Sequence, residues 1–480
     1  MPRLLRLLVV AVSALIVLAG GAVVVGQTSS RGASGSAPTT SELTVASTAS
    51  TSGSRPGPTT PIPSTTVAPR PNLAPPLANL SARLDAALAG TTSCLVVEDS
   101  NGLLLYQHQP DTALIPASTQ KLLVAAAALT ILGPNFHFVT QVVAPAAPVA
   151  GQVANLWLVG GGDPVLATPE AIAFQAGRAR VTGYQWTPLS GLADRLAAAG
   201  IRSVPGGIRG DDSHLDRLRF LPIWPAIYRT TQEVGLLSAL SVNEGVQTLT
   251  PKVTLAADPP GFAASELARL LGQRHVVVGA SGQDQTAPAN GVVVATLQSA
   301  PLSQIIESMI RASDNWIAEL VVRQIDRATG GTGTTAGGLA QVMAQAAAAG
   351  VPTAGTHMDD GSGLSHTDRA TCQELLAALD LGNQATFAPL LSGLAVAGQT
   401  GTLAARYNHT AIAGKLRAKT GSLDNAGGLV GVLSVGPTLR FAYLANQVSS
   451  ESDLYTHEDQ VVAALATYPE GAAAAPGAPP

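Results

Sequence analysis

From Gln27 to about Pro76 the chain is built of Ser, Thr, Pro, Ala and Gly with almost no aromatic or branched apolar clusters. Such a composition cannot bury enough surface to offset the entropy of ordering, so residues 27–76 are read as a disordered spacer. Any packed core is thereby confined to the residues after Pro76, and a short Ala/Pro/Gly tail at 471–480 closes the chain. Ahead of the spacer, Arg3 and Arg6 precede an apolar run from Leu7 to Val25 broken only by Ser13. This is the pattern of an export signal over residues 1–26. The run is also long enough to cross a bilayer, and no Cys follows it to accept a lipid, so a cleaved signal peptide and an N-terminal membrane anchor both remain open. In either case the rest of the chain is expected outside the cytoplasm.

With 480 residues and 46% hydrophobic content, the chain exceeds one ordinary domain and has ample material for packed cores. The net charge is only -4 and no block of like charge occurs, which argues against nucleic acid and against an electrostatically held membrane patch. An uncharged small or polymeric partner suits this surface better. Export would permit a disulfide between Cys94 and Cys372, although two buried thiols packing as small apolar groups is the plainer reading. None of the eight His falls in a cluster with ligand spacing, so no metal and no cofactor are expected.

Leu80, Leu84 and Leu88 lie four apart and predict an amphipathic helix. Ser93 to Glu98 and Leu103 to Gln107, flanking Ser100-Asn101-Gly102, predict a hairpin. An Ala- and Leu-rich helix follows from Leu122 to Leu132, closed by Gly133-Pro134. Between 141 and 294, short branched runs mix with helical segments at Leu192 to Ala199 and Ala263 to Leu271, as in one or two inserted domains. Helical periodicity resumes at Leu302 to Ile310, Trp316 to Ile325 and Gly338 to Ala349. Near the end, Gly428 to Val435 and Arg440 to Asn446 predict two strands, and a helix is expected around Asp459 to Thr467. Helices on an antiparallel sheet drawn from both ends of the chain give an α+β class, with one domain over 77–140 and 295–470 interrupted by the insertion.

Three motifs carry chemistry. Ser118-Thr119-Gln120-Lys121 falls at a helix start, where residues three apart share a face and the Lys121 amine comes within reach of the Ser118 hydroxyl. A lysine can take the hydroxyl proton only if desolvation or a nearby cation lowers its pKa, and the helix N-terminus adds positive potential there. Alone, the motif reads more simply as an N-cap serine and a solvated lysine. Ser313-Asp314-Asn315, between two helical stretches, offers a hydroxyl to relay a proton and an amide for a substrate carbonyl, but it is also an ordinary cap and turn sequence. In Lys419-Thr420-Gly421-Ser422, Gly421 allows close approach, and the Ser422 N–H with the Ser118 N–H would form an oxyanion hole. The Thr420 and Ser422 hydroxyls would take a terminal carboxylate, with Lys419 adding positive charge. In isolation this motif is a solvated basic turn. The chain has only four lysines against 23 arginines, yet two of the four sit in these motifs. Arginine cannot deprotonate, so Lys121 is a chemical choice.

The order S-x-x-K, S-D-N, K-T-G is that of penicillin-binding proteins and class A β-lactamases. With 195 residues from Ser118 to Ser313 there is room for an insertion. The chain resembles the low-molecular-mass class C penicillin-binding proteins, the D-alanyl-D-alanine carboxypeptidases of peptidase family S13. Gly161-Gly162-Asp163-Pro164, Gly210-Asp211-Asp212-Ser213, Ser238 to Gly245, Asp360 to Ser365 and Gly401-Thr402-Leu403 match that family's pattern too. The resemblance implies a penicillin-recognising, serine β-lactamase-like domain interrupted by small domains. It also implies Ser118 as nucleophile, Lys121 as base, Ser313 and Asn315 as relay and carbonyl ligand, and Lys419 with Thr420 as carboxylate anchor. The segment with Asp211 and Asp212 resembles the part that contacts the free end of a stem peptide. Where the family often carries Arg after Asp360 to Ser365, this chain has His366, with Arg369 nearby. The implied partners are peptidoglycan stem peptides, with β-lactams as covalent inhibitors. Endopeptidase cleavage of cross-links would use the same nucleophile. A β-lactamase, which would lose its penicillin adduct in seconds, and a non-catalytic wall-binding protein, which would tolerate Ser118→Ala, are the alternatives.

Overall fold

The computed structural model describes residues 75–469. The expected signal or anchor, the spacer as far as residue 74 and the 471–480 tail lie outside the described residues. Among the described residues no helix is long and apolar enough to cross a membrane. The first helix, Pro75–Leu88, begins two residues inside the expected spacer. Its paired prolines open the first turn, where their missing N–H groups cost nothing.

A six-stranded antiparallel sheet runs in the order Ala395–Val396, Leu416–Leu423, Ala426–Leu433, Leu439–Asn446, Thr92–Asp99, Leu104–His108. The two ends of the chain meet at its centre, where Thr92 pairs with Asn446 and Asp99 with Leu439. Alternate side chains of Thr92–Asp99 serve different cores, as the period of two requires. Leu95 and Val97 join Leu80, Leu84, Leu88, Val461 and Val462 from the terminal helices Pro75–Leu88 and Glu451–Leu465. Cys94 and Val96 face the opposite layer, built around the helix Lys121–Ile131. That helix is buried all round from Lys121 to Leu129, so it is a central core element and not an amphipathic surface helix. Cys94 and Cys372 form a disulfide with Cα atoms 5.9 Å apart, which corrects the reading as free thiols. The bridge ties the central strand to the helix Cys372–Asp380, whose start is fixed by a Thr371/Glu374 capping box.

The inserted region has its own five-stranded mixed sheet, in the order Gln283–Asp284, Ile208–Asp211, Leu156–Val159, Val139–Ala144, Val292–Gln298. The helices Ser190–Ala198 and Pro259–Gly272 supply the rest of its core. Val139 pairs with Gln298, so the expected boundaries at 140 and 295 fall inside paired strands. The neck lies just beyond them, where the Phe138 N–H donates to Ser299 Oγ at 3.0 Å and the Ser299 N–H donates back to the Phe138 carbonyl. A further cluster, including Leu215, Phe220, Trp224 and Leu237, packs on Trp316, Leu320 and Leu364 and so seats the insertion beside the Ser313 turn.

Candidate active site

Ser118 sits in a single 3-10 turn, Ala117–Gln120, that runs directly into the helix beginning at Lys121. Ala117 adopts φ +48°, a left-handed conformation that non-glycine residues hold only when their surroundings impose it. Two glycines make those surroundings. A Cβ on Gly421 would lie 2.7 Å from the Pro116 carbonyl oxygen, and one on Gly363 would lie 2.1 Å from that of Ala117. Their bare backbones press on the serine turn from the Leu416–Leu423 strand and from the 359–363 turn. Lys419 to Ser422, expected as a turn ahead of a strand pair, are thus part of a third strand, paired residue by residue with Ala426–Leu433.

The Lys121 side chain is fully buried. Its Nζ donates to Ser118 Oγ at 2.7 Å, to Asn315 Oδ1 at 2.7 Å and to the Ser362 carbonyl. Burial pulls its pKa down to about 8, opposed by the negative charges of Asp360, Asp314 and Glu319 and assisted by Arg180. The Ser118 hydroxyl, only partly buried, donates to the same Ser362 carbonyl at 3.2 Å. The expected pairing of Ser118 with Lys121 is therefore present, with a third group that the motif alone does not reveal.

Ser313 ends the helix Leu302–Ala312 in the left-handed conformation (φ +58°), and Asp314 then caps Asn315–Ala328 through the Ile317 N–H at 2.9 Å. This sharp reversal turns the Ser313 hydroxyl toward Lys419, whose Nζ donates to it at 2.7 Å and to the Thr420 carbonyl at 2.6 Å. Burial, then the charges of Lys121 and Arg180, hold the Lys419 pKa well below its ordinary value. Asn315 spends one amide N–H on the Glu233 carbonyl at 2.9 Å, which leaves one for a ligand. Thr420 donates to Thr402 Oγ1 at 2.8 Å, while the exposed Ser422 places its hydroxyl 3.3 Å from Glu451.

Other expected residues lie apart. Asp211 accepts from the Ser213 and Ala287 N–H groups, while Asp212 forms ion pairs with Arg217 and Arg219 and accepts from Ser238. Both carboxylates are buried among these partners, which gives them a structural task that the sequence pattern does not reveal. His366 stands half-buried with its Nε2 3.3 Å from the Tyr228 hydroxyl, on the loop that follows the Ser362 turn.

Several residues near the centre belong to none of the three motifs. The inserted region is strapped to the Ser313 turn by Arg180 Nε to the Ala312 carbonyl (3.1 Å), Tyr184 Oη to Asp314 (2.7 Å), the Gln185 N–H to Ser308 Oγ (3.2 Å) and Arg311 to the Thr182 carbonyl (3.2 Å). Glu319, fully buried, holds the Ser362 turn. It follows Asn315 by four residues on one helix, the spacing that places two side chains on a shared face, and that spacing is its one signal in the sequence.

An antiparallel sheet flanked by helices, with a serine and a desolvated lysine at the start of a buried helix and a K-T-G strand opposite, defines a penicillin-recognising serine hydrolase. Comparison with known proteins narrows the class: over residues 77–252 and 242–468 the chain belongs to the D-Ala-D-Ala carboxypeptidase 3 (S13) family. It is 33% identical to a carboxypeptidase of Mycobacterium tuberculosis over 385 residues, 78% of this chain and 77% of that protein. It is 30% identical to the D-alanyl-D-alanine carboxypeptidase of Actinomadura sp. (strain R39) over 474 residues, 81% and 84% of the two chains. The fold matches penicillin binding protein 4 of Haemophilus influenzae with a TM-score of 0.66 at 19% identity, covering 82% of this chain and 99% of that one. A β-lactam complex of the same Haemophilus protein matches at 0.62, with 18% identity, 81% of this chain and 99% of that one covered.

Proposed function

We propose that this chain removes the terminal D-alanine from peptidoglycan stem peptides through an acyl-enzyme on Ser118. The observation that carries the reading is the 2.7 Å contact between the Ser118 hydroxyl and a fully buried Lys121 whose pKa is drawn down to about 8. A neutral amine at that distance takes the hydroxyl proton as Oγ forms its bond to the carbonyl carbon between the two D-alanines. The Ser118 and Ser422 N–H groups receive the negative oxygen. The C–N bond then breaks, and the leaving amine collects a proton relayed from Lys121 through Ser313, which Lys419 holds in place. Water attacks the ester carbonyl, the bond to Oγ breaks, and the proton returns to Ser118. Lys419, Thr420 and Ser422 bind the substrate's terminal carboxylate, and the remaining Asn315 N–H takes a backbone carbonyl.

A β-lactam presents a strained amide to the same nucleophile, and the similar Haemophilus protein in complex with such a compound supports its action here as a covalent inhibitor. The Cys94–Cys372 disulfide suits an oxidising compartment outside the cytoplasm, which the Leu7 to Val25 run would reach as signal or anchor.

Incubation with penicillin followed by peptide mass spectrometry tests the nucleophile. One penicilloyl group on the Ser118 peptide, and none in Ser118→Ala, is expected. An unlabelled folded protein would sink the reading. Release of D-alanine from monomeric stem peptides, compared with opening of cross-linked dimers, then measures the two peptidase activities, and an adduct that clears in seconds would mark a β-lactamase.

A further inference from the structure

The Ser362 carbonyl is the hinge of the nucleophile's surroundings, since it accepts from both the Lys121 amine and the Ser118 hydroxyl. A backbone carbonyl can hold two such donors only if its peptide plane is fixed, and carboxyl groups fix this one from behind. Glu319 Oε1 accepts from the Gly361 N–H at 2.9 Å and the Ser362 N–H at 2.8 Å. The N–H of the carbonyl's own peptide, that of Gly363, donates to Asp360 Oδ1 at 2.6 Å, and further along the turn the Asp359 N–H donates to Asp368 Oδ1 at 2.7 Å. Gln120, from the serine motif itself, bridges Asp360 and Asp368, and Trp224 from the inserted region donates to the other oxygen of Asp360 at 2.7 Å.

Within this arrangement Asp360 holds the peptide that bears the carbonyl, and Glu319 alone holds the two peptides before it, so loss of Glu319 frees the turn from which the carbonyl is presented. We infer that Glu319 is a positioning residue: it holds the Ser362 carbonyl on the Lys121 amine and the Ser118 hydroxyl, and so sets the state in which the base waits. The inference rests on the acyl-enzyme reading and deepens it. A buried acid with no task would be replaced by an apolar side chain at no cost to the helix, whereas here one oxygen satisfies two N–H groups that have no solvent to turn to.

The charges around the pair are few. Lys121 is faced by the carboxyl groups of Asp360, Asp314 and Glu319 and by the cations Arg180 and Lys419. Glu319 is faced by Asp360 and by Arg323. Burial, then the charge of Asp360, push the Glu319 pKa up to about 8, against hydrogen bonds from Ser362 and the charge of Arg323. The acid and the amine thus release protons over the same range, on either side of Ser362, and the ionised acid favours the protonated amine.

Two variants separate a positioning role from a merely structural one. Glu319→Ala removes the acceptor; Glu319→Gln keeps an Oε1 for both N–H groups and removes the charge. The readout is the second-order rate of acylation by a fluorescent penicillin, followed as a function of pH. Glu319→Ala is expected to lose about 10²-fold, the cost of an ångström's displacement at a reacting group. Glu319→Gln should recover most of that rate, with the midpoint of the acid limb moved lower by about 0.5 pH unit, because near pH 8 the amine no longer faces a partly ionised acid. An alanine variant within about twofold of the parent rate, a glutamine variant no faster than alanine, or an unmoved acid limb would each overturn the inference. If the alanine variant fails to fold by circular dichroism, the glutamine profile alone decides. Acylation of the parent protein at Ser118 in the same assay stands or falls separately, so failure of the mechanism and failure of the inference are distinguishable.

Discussion

The Ser313 hydroxyl lies 2.7 Å from the amine of Lys419, held there by a left-handed backbone that ends one helix immediately before the cap of the next. In the proposed mechanism this hydroxyl relays the proton from Lys121 to the leaving nitrogen, so its removal would break that path. Ser313→Ala is expected to slow D-alanine release by about 10²–10⁴-fold. The effect should fall on kcat more than on KM, because the proposed carboxylate anchors at Thr420 and Ser422 remain. Steady-state kinetics on a D-Ala-D-Ala peptide check this, and an unchanged kcat would remove Ser313 from the relay.

The pH dependence follows from Lys121. The base works only when neutral, and its pKa is near 8. Acylation by penicillin should therefore rise about tenfold per pH unit from about pH 6 and level off above about pH 8. A flat profile across that range would show that another group takes the proton. Stability runs in the same direction. The amine's pKa in the folded chain lies below its ordinary 10.5, so below pH 8 the fold bears the full cost of a buried charge. That cost is relieved as pH rises from 8 toward 10.5, and the buried Lys419 adds to it with the same sign. Denaturant titrations of the parent and Lys121→Met at about pH 7 and about pH 9.5 would show the parent gaining on the variant at the higher pH.

Asp212 makes the opposite kind of prediction. Its carboxylate is buried between Arg217, Arg219 and Ser238, where the two guanidinium groups pair with its charge. Asp212→Asn should cost about 1–3 kcal/mol of stability and leave penicillin acylation of Ser118 within about twofold of the parent. Thermal unfolding and acylation kinetics measured together decide it. A selective rise in KM for a full stem peptide, with stability unchanged, would return Asp212 to substrate binding.

These cases mark where the sequence is readable. Helices with a periodic apolar face, such as Leu302 to Ile310, and strands with a continuous apolar and aromatic run, such as Phe441 to Ala445, are legible because local pattern and burial agree there. Leu416–Leu423 is legible only in part, because Lys419 falls with Arg417 on the polar side of the alternation and yet is buried in the site. The three motifs survive as chemistry because each places its reactive groups within a few residues of one another. Glu319, Asp360 and Gln120 act through a carbonyl contributed by a turn some 240 residues beyond Ser118, and only tertiary contact makes them neighbours. Asp211 and Asp212 are ambiguous for the converse reason: a pair of acids beside a glycine looks the same in sequence whether it faces a ligand or, as with Asp212, two arginines.

The tight seating of the serine turn gives a final test. Gly363 has φ +80°, and a Cβ there would lie 2.1 Å from the Ala117 carbonyl oxygen and 2.9 Å from the Ser118 nitrogen. Neither is the movable end of a side chain, so the turn carrying Ser362 must retreat from the nucleophile. Gly421 has no such backbone strain, and its Cβ would meet the Pro116 carbonyl oxygen at 2.7 Å, with Thr119 Cγ2 at 3.1 Å, so a smaller shift of the strand suffices. Gly363→Ala should therefore lower penicillin acylation by about 10²-fold or more and Gly421→Ala by less. The Gly363 variant should also be the less stable of the two, since it carries both the clash and a left-handed alanine. Acylation rates and thermal unfolding of the two variants side by side test the ordering. Equal, near-parental rates would mean that the contact of the 359–363 turn with the serine turn has no part in holding Ser118 for attack.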